Sequence, residues 1–322
     1  MKQMRELKKW VTDYNFLKHG IEDLEILMDF EKSGDAETEE VKSHYQTILF
    51  RLEDVEFRNM LSEEGDDLSA VLQITAGAGG IGRETTRLFV EAGAKVFICD
   101  VDETALENTL SSFDNVSGAR VDVSDPDQFK SFFSKADEYL GGLDIMINNA
   151  GTAGPTALIE DISLEEWNNC VNINLTSAFL GTQESIPRIK ASDNDGGSII
   201  NLSSAAGKFG FPLRSPYSAA KWAIVGLTRT TALEVGRYGI RCNCIQPGPV
   251  DGDRINRVIQ AKAKAEGVSE NQTRDEMMSG TTLHTFIPQR HIASMIGYLC
   301  SDFGSTITGQ ALSVDGGLES IP

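Results

Sequence analysis

After residue 70, short apolar runs rich in β-branched side chains return along the chain, at 71–75, 95–99, 143–147, 198–202, 240–245 and 311–314. Segments long enough to be helices separate them. Strands that alternate with helices pair in parallel, and the crossover helices then cover both faces of one sheet. The expected fold class is α/β, a doubly wound parallel sheet of Rossmann type over residues 71–322. No internal repeat and no low-complexity tract interrupts it.

The first sixty residues follow a different pattern. Apolar residues at Leu7, Val11, Tyr14, Leu17, Ile21, Leu24 and Met28 step by three and four, as in an amphipathic helix close to a coiled-coil seam. Residues 32–35, Lys-Ser-Gly-Asp, break that run. A second follows through Val41, Tyr45, Ile48, Leu52 and Val55. Two such helices joined by a short glycine-bearing turn predict an antiparallel helical hairpin over 1–60. The acid- and glycine-rich stretch 61–70 reads as a linker.

Composition excludes several functions. No stretch approaches the roughly 20 apolar residues of a membrane span, and the charged amino terminus has no secretory core. The net charge is −19, and residues 1–70 hold 18 Asp and Glu against 9 Lys and Arg. Such a surface disfavours nucleic acid. The five cysteines are scattered and odd in number, so reduced thiols in a cytoplasmic protein and no metal site are expected.

The first strand of the sheet runs into Thr75-Ala76-Gly77-Ala78-Gly79-Gly80-Ile81-Gly82, and a helix is expected over 83–92. Glycines there let backbone approach a pyrophosphate and set it on the helix N-terminus. The next strand ends in Asp100, where a carboxylate accepts hydrogen bonds from the ribose hydroxyls of NAD and repels the 2′-phosphate of NADP. No basic residue stands at 101 or before Gly80 to offset that repulsion, so NAD is the expected cofactor. Tyr217 and Lys221 lie four residues apart, one helical turn, with Ser204 thirteen residues upstream. A free phenol titrates near about 10, and a lysine on the same helix face favours its phenolate and makes it a usable base. Each feature alone also fits ordinary structure: a helix surface for Tyr217, a strand-end cap for Ser204, a solvated acid for Asp100.

Together these residues resemble the short-chain dehydrogenase/reductase family, and the likeness runs from about residue 71 to about 317. By that resemblance Tyr217 is the acid/base, Ser204 bonds the substrate oxygen, and Lys221 holds the nicotinamide ribose. Asn174 anchors a water that links Lys221 to solvent. The resemblance also assigns Asp122 and Val123 to the adenine, Asn149, Ala150 and Gly151 to the end of the fourth strand, and Pro247 and Gly248 to the nicotinamide. It implies a secondary alcohol or ketone as substrate and a homo-oligomer, dimer or tetramer. Two positions depart from the pattern. Ala76 stands where relatives carry a glycine, which strains the turn if a positive φ is required, and Gly252 stands where relatives often carry a threonine. Specificity in the family lies after Gly248, where Arg254 and Arg257 fit either an anionic substrate or a solvated helix face.

Residues 1 to about 80 resemble the N-terminal domain of bacterial peptide chain release factor two, so the chain reads as a fusion that changes family near residues 79–81. The Gly-Gly-Gln and Ser-Pro-Phe motifs of release factors are absent; Thr308-Gly309-Gln310 is not the former. A ribosome-associated module and a catalytically silent NAD-binding scaffold are the alternatives to an enzyme.

Overall fold

The computed structural model describes residues 2–60 and 70–319, with backbone alone at 2–9 and 57–60. The chain divides into two compact units, 1–66 and 67–322. The expected linker falls almost wholly on residues 61–69, outside the described ones.

In the first unit α1 (Lys2–Ser33) and α2 (Thr38–Met60) pack on each other. Gly34, at φ +85, supplies the left-handed residue that ends α1. The buried stripe differs in phase from the one expected. Leu17 and Leu24 turn inward, whereas Val11, Tyr14 and Ile21 are more than half or half exposed, and Met28 is also exposed. On α2, Ile48 and Val55 are buried while Tyr45 and Leu52 face out. The seam instead includes Asp13, buried and ion-paired with Arg51, and Gly20, whose missing side chain admits Ile48. Apolar residues on both sides of α1 gave the period but not the phase.

Among the described residues of the second unit, seven strands form one wholly parallel sheet, in the order β3-β2-β1-β4-β5-β6-β7. They are β1 (Val71–Thr75), β2 (Lys95–Asp100), β3 (Val116–Arg120), β4 (Ile145–Asn148), β5 (Gly197–Leu202), β6 (Ile240–Pro247) and β7 (Ala311–Val314). β3 was not expected from sequence. Its run Val-Ser-Gly-Ala-Arg is only half buried at the sheet edge, so it needs no apolar signature.

Helices α3 (Gly80–Glu91) and α11 (Gln289–Cys300) pack together beside the sheet, and α4 (Glu103–Ser112) packs on β2 and β3. Helices α5 (Pro126–Leu140), α7 (Ser177–Ala191) and α8 (Ser215–Val235) join β2, β4, β5 and β6 in the main core. Phe129, Phe132 and Phe133 of α5 stack with one another, and Phe132 meets Phe97 of β2, at centroid distances of 5.2–5.8 Å. α6 (Leu164–Val171) leads through one π-turn, Asn172–Thr176, into α7. α9 (Asp253–Glu266) and α10 (Glu270–Ser279) fill the connection from β6 to α11. Strand order reverses between β1 and β4, and a ligand crevice is expected beyond their carboxyl ends.

Candidate active site

A cleft of about 540 Å³ opens at those carboxyl ends. At one end lies the glycine turn. α3 starts at Gly80, three residues earlier than expected, and its N-cap Gly79 is extended and offers no capping side chain. The first-turn N–H groups therefore face the cleft, where Gly79, Gly80 and Ile81 line it. Gly77 and Gly82 serve packing instead. A Cβ on Gly82 would sit 1.9 Å from the Ala76 carbonyl oxygen, and one on Gly77 would sit 2.7 Å from Ile98.

Ala76 has φ +50, so the turn does require the left-handed conformation at the position where relatives use glycine. Its neighbours hold it there. Asn149 Nδ2 donates to Ala76 O at 2.9 Å and to Thr75 O at 3.2 Å. Thr75 Oγ1 in turn accepts the N–H groups of Asn149 and Ala150 at 2.9 and 3.0 Å, tying the end of β1 to the end of β4.

Asp100, at the end of β2, lines the cleft. One carboxylate oxygen accepts from Ala78 N at 3.2 Å and the other from Asp102 N at 3.1 Å. Arg120 of β3 stands opposite it in register and donates from Nε to Val101 O. Asp122, exposed, accepts from Ser124, and Val123 is buried; neither lines the cleft.

At the other end, Ser204, Tyr217 and Lys221 line the cleft together with Gly151, Pro247 and Gly248. Pro216 at the start of α8 fixes the turn that carries Tyr217, and i,i+4 spacing puts Lys221 on the same face. Lys221 Nζ lies 5.6 Å from the Tyr217 ring centroid and donates to Leu202 O at 2.7 Å. Burial, reinforced by the charge of Arg254, pushes its ammonium down to about 7. Ser204 Oγ accepts from Ala206 N at 3.2 Å, which leaves its own hydrogen free. Ser203 is buried and spends its hydroxyl on Lys221 O.

Asn174 lies in the π-turn, fully buried. Its Nδ2 donates to Thr152 O and Cys170 O, while its Oδ1 is buried without a partner. A Cβ on Gly151 would meet that Oδ1 at 2.8 Å, Lys221 Nζ at 3.4 Å and Arg254 Nη1 at 3.8 Å, so the three groups converge on one point beside the cleft.

Residues 76–319 match the family model described as enoyl-(acyl carrier protein) reductase. The chain belongs to the short-chain dehydrogenase/reductase family. Among its curated relatives, the 3-oxoacyl-[acyl-carrier-protein] reductase FabG of Thermotoga maritima is 32% identical over 77% of this chain and 97% of its own length. D-beta-hydroxybutyrate dehydrogenase of Rhizobium meliloti is 34% identical over 76% and 96%. A crystal structure of a variant actinorhodin polyketide ketoreductase with NADPH superposes at a TM-score of 0.73, with 29% identity, over 77% of this chain and 96% of that one. Residues 1–92 match the PCRF domain, the release-factor segment, so the two matches overlap on 76–92. β1 lies before that overlap, within the PCRF match and ahead of the dehydrogenase family model.

The short-chain dehydrogenase/reductase fold implies a nicotinamide cofactor, and the residues present fit one. Open N–H groups at the start of α3 suit a pyrophosphate, Asp100 suits a ribose diol, and Gly151 leaves the space that any side chain would fill. Three cleft residues carried no signal strong enough to assign them from sequence. Arg254 does not lie on a solvated helix face alone: its guanidinium donates to Gly151 O at 3.3 Å and stands 5.8 Å from the Tyr217 ring centroid. Arg214, just before α8, is buried and donates to Ala153 O and Gly154 O. Gln289 of α11 donates to Asp251 O and occupies the space where a Cβ on Gly252 would fall, 2.4 Å from its amide nitrogen. All three arrive by long-range packing.

Proposed function

We propose that the chain is an NAD-dependent oxidoreductase that moves a hydride between the nicotinamide and a secondary alcohol or ketone. The observation that carries this reading is one cleft holding the glycine turn and Asp100 at one end and Ser204, Tyr217 and Lys221 at the other. When bound, the nicotinamide supplies or accepts the hydride. In the oxidising direction Tyr217 takes the hydroxyl proton; no other described group bonds its phenol oxygen. Ser204 donates its free hydrogen to the substrate oxygen and holds it through the reaction. Lys221 holds the ribose beside the nicotinamide, and Asn174 Oδ1 orders the water through which the proton leaves towards solvent.

Asp100 favours NAD. A second reading, NADP, rests on Arg120, which pairs in register with Asp100 across β2 and β3 and donates from Nε to Val101 O. Asp122 and Val123 follow β3 and are proposed for the adenine, while Pro247 and Gly248 border the nicotinamide. A homo-oligomer, dimer or tetramer, is part of the proposal, supported by the exposed Phe179 of α7 and Trp222 and Leu233 of α8. The helical hairpin 1–60 is proposed as an appended module outside the chemistry. Among the described residues no helix is long and apolar enough to cross a membrane.

Replacing Tyr217 with Phe tests the assignment. Turnover is expected to fall by roughly 10²–10⁴-fold with little change in NAD affinity. Unchanged turnover contradicts the mechanism. Tight nucleotide binding by the unaltered chain with no turnover on any alcohol or ketone makes it a binding scaffold instead.

A further inference from the structure

The cleft end that holds Tyr217 is cationic in a protein whose net charge is −19. Arg214 and Arg254 gather there, and Arg257 lies one turn beyond Arg254 on α9, while Lys221, its ammonium pushed down to about 7, adds only part of a charge. Among the described residues no carboxylate pairs with any of the four. Arg214 is only 4% exposed, and its hydrogen bonds, all from Nη1, go to neutral carbonyls. Burying an arginine without a counter-charge is unfavourable unless an anion arrives to compensate. Arg254 spends one nitrogen, Nη1, on Gly151 O, and the rest of its fork is open to the cleft.

The acids that line the same cleft do not relieve this. Asp100 and Asp102 belong to the nucleotide end, and Asp251 accepts the Gly252 N–H at 2.9 Å. Asp253 stands in the first turn of α9 and forms no ion pair with the arginines.

We infer that the substrate carries a carboxylate close to its reacting carbon, and that Arg254, backed by Arg214, grips it. The distance sets the class. The Arg254 Cζ lies 5.8 Å from the centroid of the Tyr217 ring and both residues line the same cleft, a placement that suits an anionic group near the reacting carbon. A short oxo acid and its hydroxy acid fit; a carbonyl whose anionic group lies many bonds away does not. Arg254 is thereby the specificity-determining residue. The inference rests on the proposed oxidoreductase reading for the identity of the reacting carbon.

The test compares acetoacetate with acetoacetamide, which have the same length and carbonyl and differ in the charge. With the full chain and NADH, kcat/KM is expected to be at least about tenfold higher for acetoacetate, mostly through KM. R254A is expected to abolish that preference, and R254K to restore part of it, because lysine keeps the charge and loses the fork. Calorimetric titration of both compounds into the chain with saturating NAD reads the same discrimination without turnover. Equal behaviour of the two compounds, or a preference that survives R254A, overturns the inference. So does an equal loss of NAD affinity in R254A, which would give the guanidinium to the nucleotide. Discrimination by binding with no reduction of either compound supports the anion site and overturns the hydride-transfer reading.

Discussion

Asn174 and Gln73, two buried amides of the second unit, carry unpaired atoms, and the two have opposite meanings. At the β5–α8 end, Asn174 Oδ1 lacks a partner but lies next to Gly151, Lys221 and Arg254, at the cleft wall. Away from the cleft, Gln73 sits in the middle of β1, fully buried, with neither its oxygen nor its nitrogen bonded. No ligand explains Gln73, because a central parallel strand is covered on both faces and wants an apolar side chain there. Three residues on, Ala76 holds a left-handed backbone. The Tyr217 end carries a left-handed residue too, Leu213 at φ +63, and an unpaired Ser215 Oγ, so what sets the β1 end apart is an unpaired amide far from any ligand space.

The family boundaries give the physical history of that difference. β1 lies within the PCRF match and before the dehydrogenase family model, which begins at Ala76, yet likeness to a ketoacyl reductase over 79% of the chain extends across it as well. A segment that resembles another family thus completes the sheet. It does so because Val-Leu-Gln-Ile-Thr has enough β-propensity to pair along its whole length with β2 and through Leu72, Gln73 and Ile74 with β4. Thr75, Asn149 and Gly82 then clamp the turn. Strain at Ala76 persists because its surroundings over-determine it.

If this contrast is right, the largest effects on stability belong to the buried groups. Lys221 has a folded pKa of about 7, below its unfolded value of 10.5. Between those values the unfolded chain binds a proton that the folded chain has shed, so stability rises with pH. From pH 7 to about 9 that one group contributes a gain of about 2 kcal/mol, measurable by urea unfolding and absent in Lys221→Met. Above pH 9 the sign reverses, because burial pushes the thiols of Cys244 and Cys300 up to about 11 and the unfolded chain loses those protons first. A flat profile between 7 and 9 would count against a buried Lys221.

Gln73→Leu is expected to stabilise the second unit by about 2 kcal/mol, by removing two unpaired buried groups; destabilisation in the same unfolding assay would show that Gln73 is bonded. Ala76→Gly should add about 1 kcal/mol of stability, by relieving the left-handed alanine, and tighten nucleotide binding. No change in either measurement would place Ala76 outside the strained region. The smallest effect concerns the hairpin. Deleting residues 1–69 is expected to leave turnover within a factor of a few, since the chain enters β1 at its amino end and ligands bind at carboxyl ends. A loss above roughly a hundredfold, about 2.7 kcal/mol, would give the hairpin a part in the chemistry.

Much of this architecture was legible in the sequence, for reasons that also mark where reading stops. The buried strands announce themselves because both faces demand apolar side chains; β3 does not, since an edge strand tolerates Ser117 and Gly118. Tyr217, Lys221 and Ser204 were readable as local spacings on one helix and one strand end. Arg214 and Gln289 were not, and Arg254 stayed between two readings, because what places them beside Gly151 and Gly252 is the return of the chain after β5 and β6. The hairpin misled in a third way: α1 carries apolar residues such as Trp10, Val11 and Tyr14 outside its packed stripe, so periodicity alone could not choose the buried side.

A β1 strand that the PCRF match also covers is expected to build a working nucleotide site, selected by Asp100. Separate calorimetric titrations of NAD and NADP into the full chain test it most directly. The account predicts NAD binding in the micromolar range and NADP binding much weaker. Binding of neither would mean that the junction at Gln73 and Ala76 breaks the site, and preferential binding of NADP would mean that Arg120 rather than Asp100 sets the choice.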